Sequence, residues 1–261
     1  MSKKKLLAIL PIGDFGRVLH FHKRIGSTND EAKKLAREGA AHGTLIVADE
    51  QTEGRGRAGR RWLTPPGGAI AMSVILRPDS IPPALIGELT VLGALATVEA
   101  LERLGAHAMI KWPNDVLVSD GKAAGVLVEG GWVEERLIYV VMGIGVNVRR
   151  NSIKSKGLFD FPAACLEDEM GDDIDRLQVI RGILEALSDR YDKLGSGAFM
   201  DEWDRYLAYK GQVVNVQGGQ MNTTGKLVGL SERGQLRLQL LTGEVLKIGV
   251  GMQQLRPVDR S

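Results

Sequence analysis

Apolar residues along this 261-residue chain recur with two periods. Short alternating or continuous apolar runs predict strands at about residues 17–24, 44–48, 69–76, 107–112, 125–133 and 136–148. The helical period shows first in "GSTNDEAKKLAREGA", where Ala32, Leu35 and Ala36 share one face. There Thr28 followed by Glu31 resembles a capping box, and Gly39 ends the helix. A second helix is predicted over 82–103, after Pro82-Pro83; it is apolar on almost every side and so must be a core helix. Asn114-Asp115 and Asp120-Gly121 read as turns. Periodicity fades from 151 to 173, and helices are predicted at about 175–194 and 198–209. Four short β runs follow, at about 211–217, 223–231, 234–241 and 243–250. The change places a boundary near Lys210-Gly211 and gives an α+β unit over 1–210 and a small all-β unit over 211–261.

A hydrophobic fraction of 44% supplies a sizeable core and excludes a disordered chain. Net charge is only +2, so basic character is local and argues against a broad nucleic-acid-binding face. Cys165 is the single cysteine, which excludes internal disulfides and fits a reducing compartment such as the cytoplasm. The start, "KKKLLAILPIG", is broken by Pro11 and lacks a small-x-small cleavage site, so it reads as mature protein. The uncharged apolar stretch Leu137 to Val148 is too short to span a membrane.

The local basic character sits in "QTEGRGRAGRRW", Gln51 to Trp62, with four arginines and three glycines. Gly54 to Gly59 matches the G-x-G-x-x-G of dinucleotide-binding turns. Two prolines and a strand-like run follow instead of the helix that motif requires, and the nearest acid downstream is Asp79. The arginines alternate with small residues, which leaves them without local packing partners and free to grip phosphate or carboxylate. Ordering ten such residues costs on the order of 10–20 kcal/mol of backbone entropy, while a charge-assisted hydrogen bond returns about 1.5–3 kcal/mol. A loop that orders on binding anions is therefore expected, and a solvated basic loop is the plain alternative.

Three further stretches carry polar groups at strand ends or in loops, where binding groups are usually displayed. Ser27, Thr28 and Asn29 either cap a helix or face a ligand. Lys111 and Lys122 either snorkel to solvent or reach an anion. Asn147, inside an apolar strand, needs either a ligand or a backbone partner for its amide. His20 and His22 share a strand face, but no third metal ligand is apparent. No nucleophile elbow or zinc-protease motif occurs, and Cys165 has no evident activating base.

In order, "GSTN", "QTEGRGRAGRRW", "KWPND", "KAAGVLVE" and "GIGVNV" resemble the biotin protein ligase family, over about Phe21 to Asn147. Where that family often has an aromatic before the serine of the strand after the loop, this chain has Ala71-Met72. About twenty residues precede the first strand, so the resemblance is to the form without an N-terminal DNA-binding repressor domain, and no DNA partner is expected. The resemblance implies a mixed-sheet catalytic domain of the class II synthetase and lipoate-ligase kind and an SH3-like C-terminal domain. It implies a cytoplasmic biotin–acetyl-CoA-carboxylase ligase, which forms biotinyl-5'-AMP from biotin and ATP with Mg²⁺. The biotin then passes to a lysine of a biotin carboxyl carrier protein domain.

The same resemblance implies a biotin site of Ser27, Thr28, Asn29, Gln51, Gly54, Arg55, Gly56, Arg57, Lys122 and Gly125. It implies an ATP site of Arg55, Arg57, Arg60, Trp62, Lys111, Asn114 and Asn147. Arg57, Lys111 and Lys122 would stabilise charge, Asp115 would help deprotonate the incoming amine, and Asn114 and Asp115 would hold Mg²⁺. Lipoate–protein ligation shares this logic and is the nearest rival. A nucleic-acid-binding module is a more distant one, opposed by Asp49, Glu50 and Glu53 beside the basic loop. Exposed strand edges are compatible with a homodimer, and no membrane partner is expected.

Overall fold

A computed structural model describes residues 1–11, 13–77, 85–153, 161–171, 174–219, 221–251 and 253–258. Seven strands form one mixed sheet: β1 (Leu19–His22), β2 (Leu45–Ala48), β3 (Ala69–Leu76), β4 (Ala108–Lys111), β5 (Asp115–Val118), β6 (Gly121–Val133) and β7 (Arg136–Asn147). Their order is β1-β2-β3-β7-β6-β5-β4, with β1 and β2 parallel and every other pair antiparallel.

The helices divide between the two faces of this sheet. α2 (Thr28–Arg37) is amphipathic and buries Ala32 and Ala36 against Ile46, Ile75, Tyr139 and Val141. α3 (Ile86–Glu102) is apolar almost all round and needs cover on several sides. It packs on the other face of the sheet and is covered in turn by α5 (Arg176–Tyr191). Gly93 lets α3 approach, since a Cβ there would lie 2.9 Å from Val126 Cγ1 and 3.0 Å from Met142 Sδ. α1 (Lys3–Leu7), α4 (Leu166–Met170) and α6 (Ala198–Arg205) are short.

A second sheet is antiparallel, in the order β11-β10-β9-β8-β12: β8 (Val213–Gly218), β9 (Met221–Leu230), β10 (Leu236–Gln239), β11 (Val245–Ile248) and β12 (Gln254–Pro257). Its inward residues Val214, Val216, Leu227, Leu236 and Leu238 belong to the same apolar core as the large sheet. Trp112 donates from Nε1 to the Gly234 carbonyl at 3.0 Å, tying the turn after β4 to the β9–β10 connection.

The α+β expectation holds, with particular corrections. Asp115 to Val118 is a strand, not the tail of a turn, because the turn closes one residue earlier, at Asn114. The last helix stops at Arg205, short of the expected Tyr209. Its successors leave the helix to extend the sheet edge, where Ile110 donates to Tyr206 O at 2.7 Å and Ala208 donates to Ile110 O at 2.9 Å. α1, β12 and α4 were not expected. The proposed helix start at Pro82-Pro83 and the strand stop at Pro78 lie outside the described residues.

Leu92 is fully buried between α3 and its neighbours. Leu92→Ala should cost about 2–5 kcal/mol through lost transfer energy and the cavity it leaves. Urea denaturation should show this as a lower midpoint with an unchanged slope.

Candidate active site

Across the large sheet, residues paired strand to strand form one line: Ala48, Ala71, Gly145, Gly125, Asp115 and Lys111. Directly paired residues point to the same face, so four small residues lead into an ion pair. The space above them is taken by Trp62: a Cβ on Gly145 would sit 2.4 Å from its indole, and one on Gly125 3.6 Å away. A cavity of about 490 Å³ opens here, on the α2 face of the sheet.

At one end Asp115 accepts from Lys111 Nζ at 3.0 Å and pairs with Lys122 Nζ at 2.6 Å, one lysine on each carboxylate oxygen. Burial would raise this carboxyl, but the two ammoniums prevail and hold it at about 2. Burial lowers Lys111 from the ordinary lysine value against the pull of Asp115. Both values fall, which favours the charged form of Asp115 and disfavours that of Lys111: the carboxylate has two cations to offset its burial, while each cation has one carboxylate. Lys111 also lies 4.5 Å from the centre of the Phe161 ring, and Lys122 5.5 Å from that of Trp62.

At the other end side-chain hydrogen bonds that run from Gln51 to the Glu129 carboxylate fix the wall. Ser27 occupies the N-cap of α2 without a side-chain cap bond, which corrects the capping-box expectation. The Thr28 backbone and hydroxyl both donate to Gln51 Oε1, at 2.8 and 3.0 Å, and Gln51 Nε2 donates to Thr64 Oγ1 at 3.1 Å. Buried Ser73 lies 2.8 Å from Thr28 Oγ1 and donates to Asn29 Oδ1 at 2.6 Å, while Asn29 Nδ2 donates to Glu129 at 2.7 Å. Gly143 permits this, since a Cβ there would fall 2.1 Å from Asn29 Oδ1.

The arginine segment folds back on itself and spans the cavity. Residues 57–59 form a 3₁₀ turn with Ala58 at φ 53°, and Gly56 N donates to Arg60 O at 2.7 Å. Trp62 N donates to Gly54 O at 2.8 Å. The expectation that the arginines lack local partners is corrected for two of them. Arg55 makes a bidentate pair with Asp30, both contacts 2.6 Å. Arg57 donates to Asn114 Oδ1 at 3.0 Å and to the Gly251 carbonyl, and burial lowers its guanidinium from its ordinary value. Among the described residues Arg60 pairs with no carboxylate; its Nε donates to Arg57 O at 3.3 Å.

Ser27, Thr28, Asn29, Gln51, Arg55, Gly56, Arg57, Arg60, Trp62, Lys111, Asn114, Asp115, Lys122, Gly125 and Asn147 all line this one cavity. Gly54 does not; a Cβ there would meet Trp62 O at 2.4 Å, so its role is close packing of the loop. Asn147 uses its amide on the backbone, donating to Lys122 O at 3.2 Å and Ala164 O at 3.1 Å. Sequence reasoning missed Ser73, Phe161 and the stretch 254–256 of the second sheet, which also reaches the cavity. The signals available for Ser73 were its hydroxyl in an otherwise apolar run and its place in the strand after the loop.

Two assigned chemistries do not fit. With its carboxyl held at about 2 and both oxygens facing ammoniums, Asp115 is a poor base for an incoming amine. Mg²⁺ needs anionic oxygens not already facing cations, but Asn114 Oδ1 faces Arg57 and Asp115 faces two lysines. No group of three acidic, histidine or cysteine residues suited to a metal occurs among the described residues.

The chain matches the family model described as the biotin/lipoate A/B protein ligase family over residues 21–147. It is 37% identical to the bifunctional ligase/repressor BirA of Bacillus subtilis over 240 residues, 87% of this chain and 71% of the relative. It is 32% identical to the biotin–acetyl-CoA-carboxylase ligase of Paracoccus denitrificans, covering 83% of this chain and 92% of that one. Among solved structures, the biotin protein ligase of Aquifex aeolicus in complex with biotin and ATP superposes with a TM-score of 0.79 at 32% identity. That match covers 93% of this chain and 100% of the other.

A depressed carboxyl adds stability that is present above its unfolded value and lost as pH falls through its folded value. For Asp115 the window runs from 3.8 down to about 2. Asp115→Asn should therefore be less stable than the parent at neutral pH, by on the order of 2 kcal/mol. The gap in urea midpoint should narrow as pH falls through that window; a constant gap would remove Asp115 as its source.

Proposed function

Because this chain belongs to the biotin protein ligase family, we propose that its cavity is where biotin is activated with ATP and transferred to a protein lysine. Biotinyl-5'-AMP forms when the biotin carboxylate attacks the α-phosphorus of ATP and pyrophosphate leaves. The lysine amine of a biotin carboxyl carrier domain then attacks the carbonyl of the mixed anhydride, AMP leaves, and an amide remains. The observation that carries the reading is one cavity with a hydrogen-bonding wall of Thr28, Asn29 and Gln51 at one end and a cationic floor at the other.

Two anions must meet in the first step, and at 4 Å their repulsion is about 4 kcal/mol at an effective dielectric of 20. Lys111 and Lys122 against one Asp115 leave a net positive charge, and Arg57 and Arg60 add to it. In this reading Lys122 meets the biotin carboxylate and Lys111 the α-phosphate, with charge fixed in advance of the reaction. Thr28, Asn29, Gln51 and the backbone at Gly56 bind the polar ring of biotin, and Trp62 with Asn147 borders the nucleotide. Arg57, pinned at Asn114 and Gly251, holds the loop over the anhydride and keeps water from it. Mg²⁺ belongs to the incoming nucleotide rather than to the protein. We assign the catalytic domain to 1–210 and the second, SH3-like domain to 211–261. No helix among the described residues is long and apolar enough to cross a membrane.

Calorimetry with biotin, lipoate and a non-hydrolysable ATP analogue tests the reading. Biotin should bind, lipoate should bind far more weakly, and each of biotin and nucleotide should tighten the other by about 5- to 150-fold. Preference for lipoate would move the chain to the other branch of the family.

Lys122→Ala should weaken biotin by about tenfold or more, as expected for a lost charge-assisted hydrogen bond, and the nucleotide much less. Equal losses for the two ligands would refute the division of labour between the lysines.

A further inference from the structure

We propose that Asp30, the third residue of α2, is a positioning residue that latches the arginine loop through Arg55, so that Arg55 acts on the loop rather than on the ligand. This rests on the biotin-ligase reading for its consequence, though not for its geometry. Asp30 takes both terminal nitrogens of Arg55 at 2.6 Å, the forked arrangement that fixes direction as well as distance. Glu129 of β6 stands 3.5 Å from the same guanidinium. Lys33, one turn along α2, bridges the two acids, at 3.1 Å from Asp30 and 2.9 Å from Glu129. Two acids and two bases thus form a neutral cluster. The Arg55 hydrogen bond to Asp30 raises the guanidinium further above neutrality, and Asp30 and Glu129 stay below the usual carboxylate range despite partial burial.

The cluster is wired to the cavity wall. Glu129 accepts from Asn29, Asn29 accepts from Ser73, Ser73 contacts Thr28, and Thr28 donates to Gln51, where the loop begins. The start of α2 therefore grips the loop twice, at Gln51 and at Arg55, with Gly54 packed against Trp62 O between the grips. Such a grip sets where the Gly56 backbone faces the cavity. Asp30, Arg55 and Lys33 are partly exposed, so a lone pair of this kind is weak, but the fork and the shared network make the four side chains act together. Arg55 carries no uncompensated charge for a phosphate, which leaves that task to Arg57, Arg60 and the two lysines.

The test is a double-mutant cycle of Asp30→Asn, Arg55→Ala and the pair, read two ways. Hydrogen exchange of the ligand-free chain reports the latch: each single variant should speed exchange of the 54–60 amides, leave α3 amides unchanged, and resemble the double variant. The dissociation rate of biotinyl-5'-AMP reports the function: each single variant should release it about tenfold faster, with the double no worse than the worse single. Adenylate formation at saturating biotin should change little in Asp30→Asn, and Asp30→Glu should restore part of the retention. Unchanged loop exchange in Asp30→Asn overturns the latch. An Arg55→Ala effect far larger than that of Asp30→Asn, multiplying with it in the double, overturns it too, because Arg55 would then touch the ligand. A wild-type chain that binds no biotinyl-5'-AMP would defeat the ligase reading while the exchange data still decided the latch.

Discussion

Asp115 has one lysine on each of its oxygens, at 3.0 and 2.6 Å, in a pocket floor almost closed to water, and the placing of both lysines in the cavity follows from that. Without the carboxylate, Lys111 and Lys122 would face each other across a few ångströms in a poorly screened site, and one would deprotonate or swing away. With it, both point at the same volume. A site that must unite two anions needs fixed positive charge before they arrive, because reorganising dipoles during the reaction would add to the barrier. The carboxylate is thus an electrostatic spacer rather than a proton carrier.

The large sheet supplies the geometry for this by a single lateral row. Asp115 and Lys111 can point into the cavity only because the neighbours on the same row are Gly125, Gly145 and Ala71. Any larger side chain at Gly145 would displace Trp62, whose indole already sits where a Cβ would be. Glycine in a central strand costs stability, and a close approach above it is one reason to keep it there. The other face of the same strands is packed by Val126, Met142, Ile144 and Val146 against α3 and its surroundings, so the cost is borne by a well-filled core.

How much of this was legible in the sequence divides along physical lines. The core helix, expected over 82–103 and described over Ile86–Glu102, and the middle strands were legible because apolar periodicity is a local signal, and the cavity residues were legible because five motifs in order resemble those of the biotin protein ligase family. β5 was missed because Asn114-Asp115 is a turn signal and the strand after it, four residues long, is buried on both sides and does not alternate. Arg55 was misread because its partners are 25 and 74 positions away, at Asp30 and Glu129, and nothing in "GRGRAGRR" distinguishes a paired arginine from an unpaired one. The roles of base and metal ligand that the resemblance implied for Asp115 do not fit for a related reason: only in the folded chain do the lysines at 111 and 122 converge on it. Ionic partners are set by tertiary register, and register does not appear in composition or spacing.

The second sheet makes the cavity a joint product of both parts of the chain. Trp112 joins the turn that carries Asn114 to Gly234, Arg57 reaches the Gly251 carbonyl, and residues 254–256 line the space itself. The turn and the loop are therefore held from the same side by backbone carbonyls of one small unit. A carbonyl acceptor fixes a donor without adding charge, so the second sheet can brace Arg57 while leaving the local balance of lysine, arginine and Asp115 intact. Asp30 braces the other limb of the loop by the opposite means, neutralising Arg55 outright. The loop thus has one anchor that cancels charge and one that preserves it, and the preserved charge is the one that faces Asn114 in the cavity.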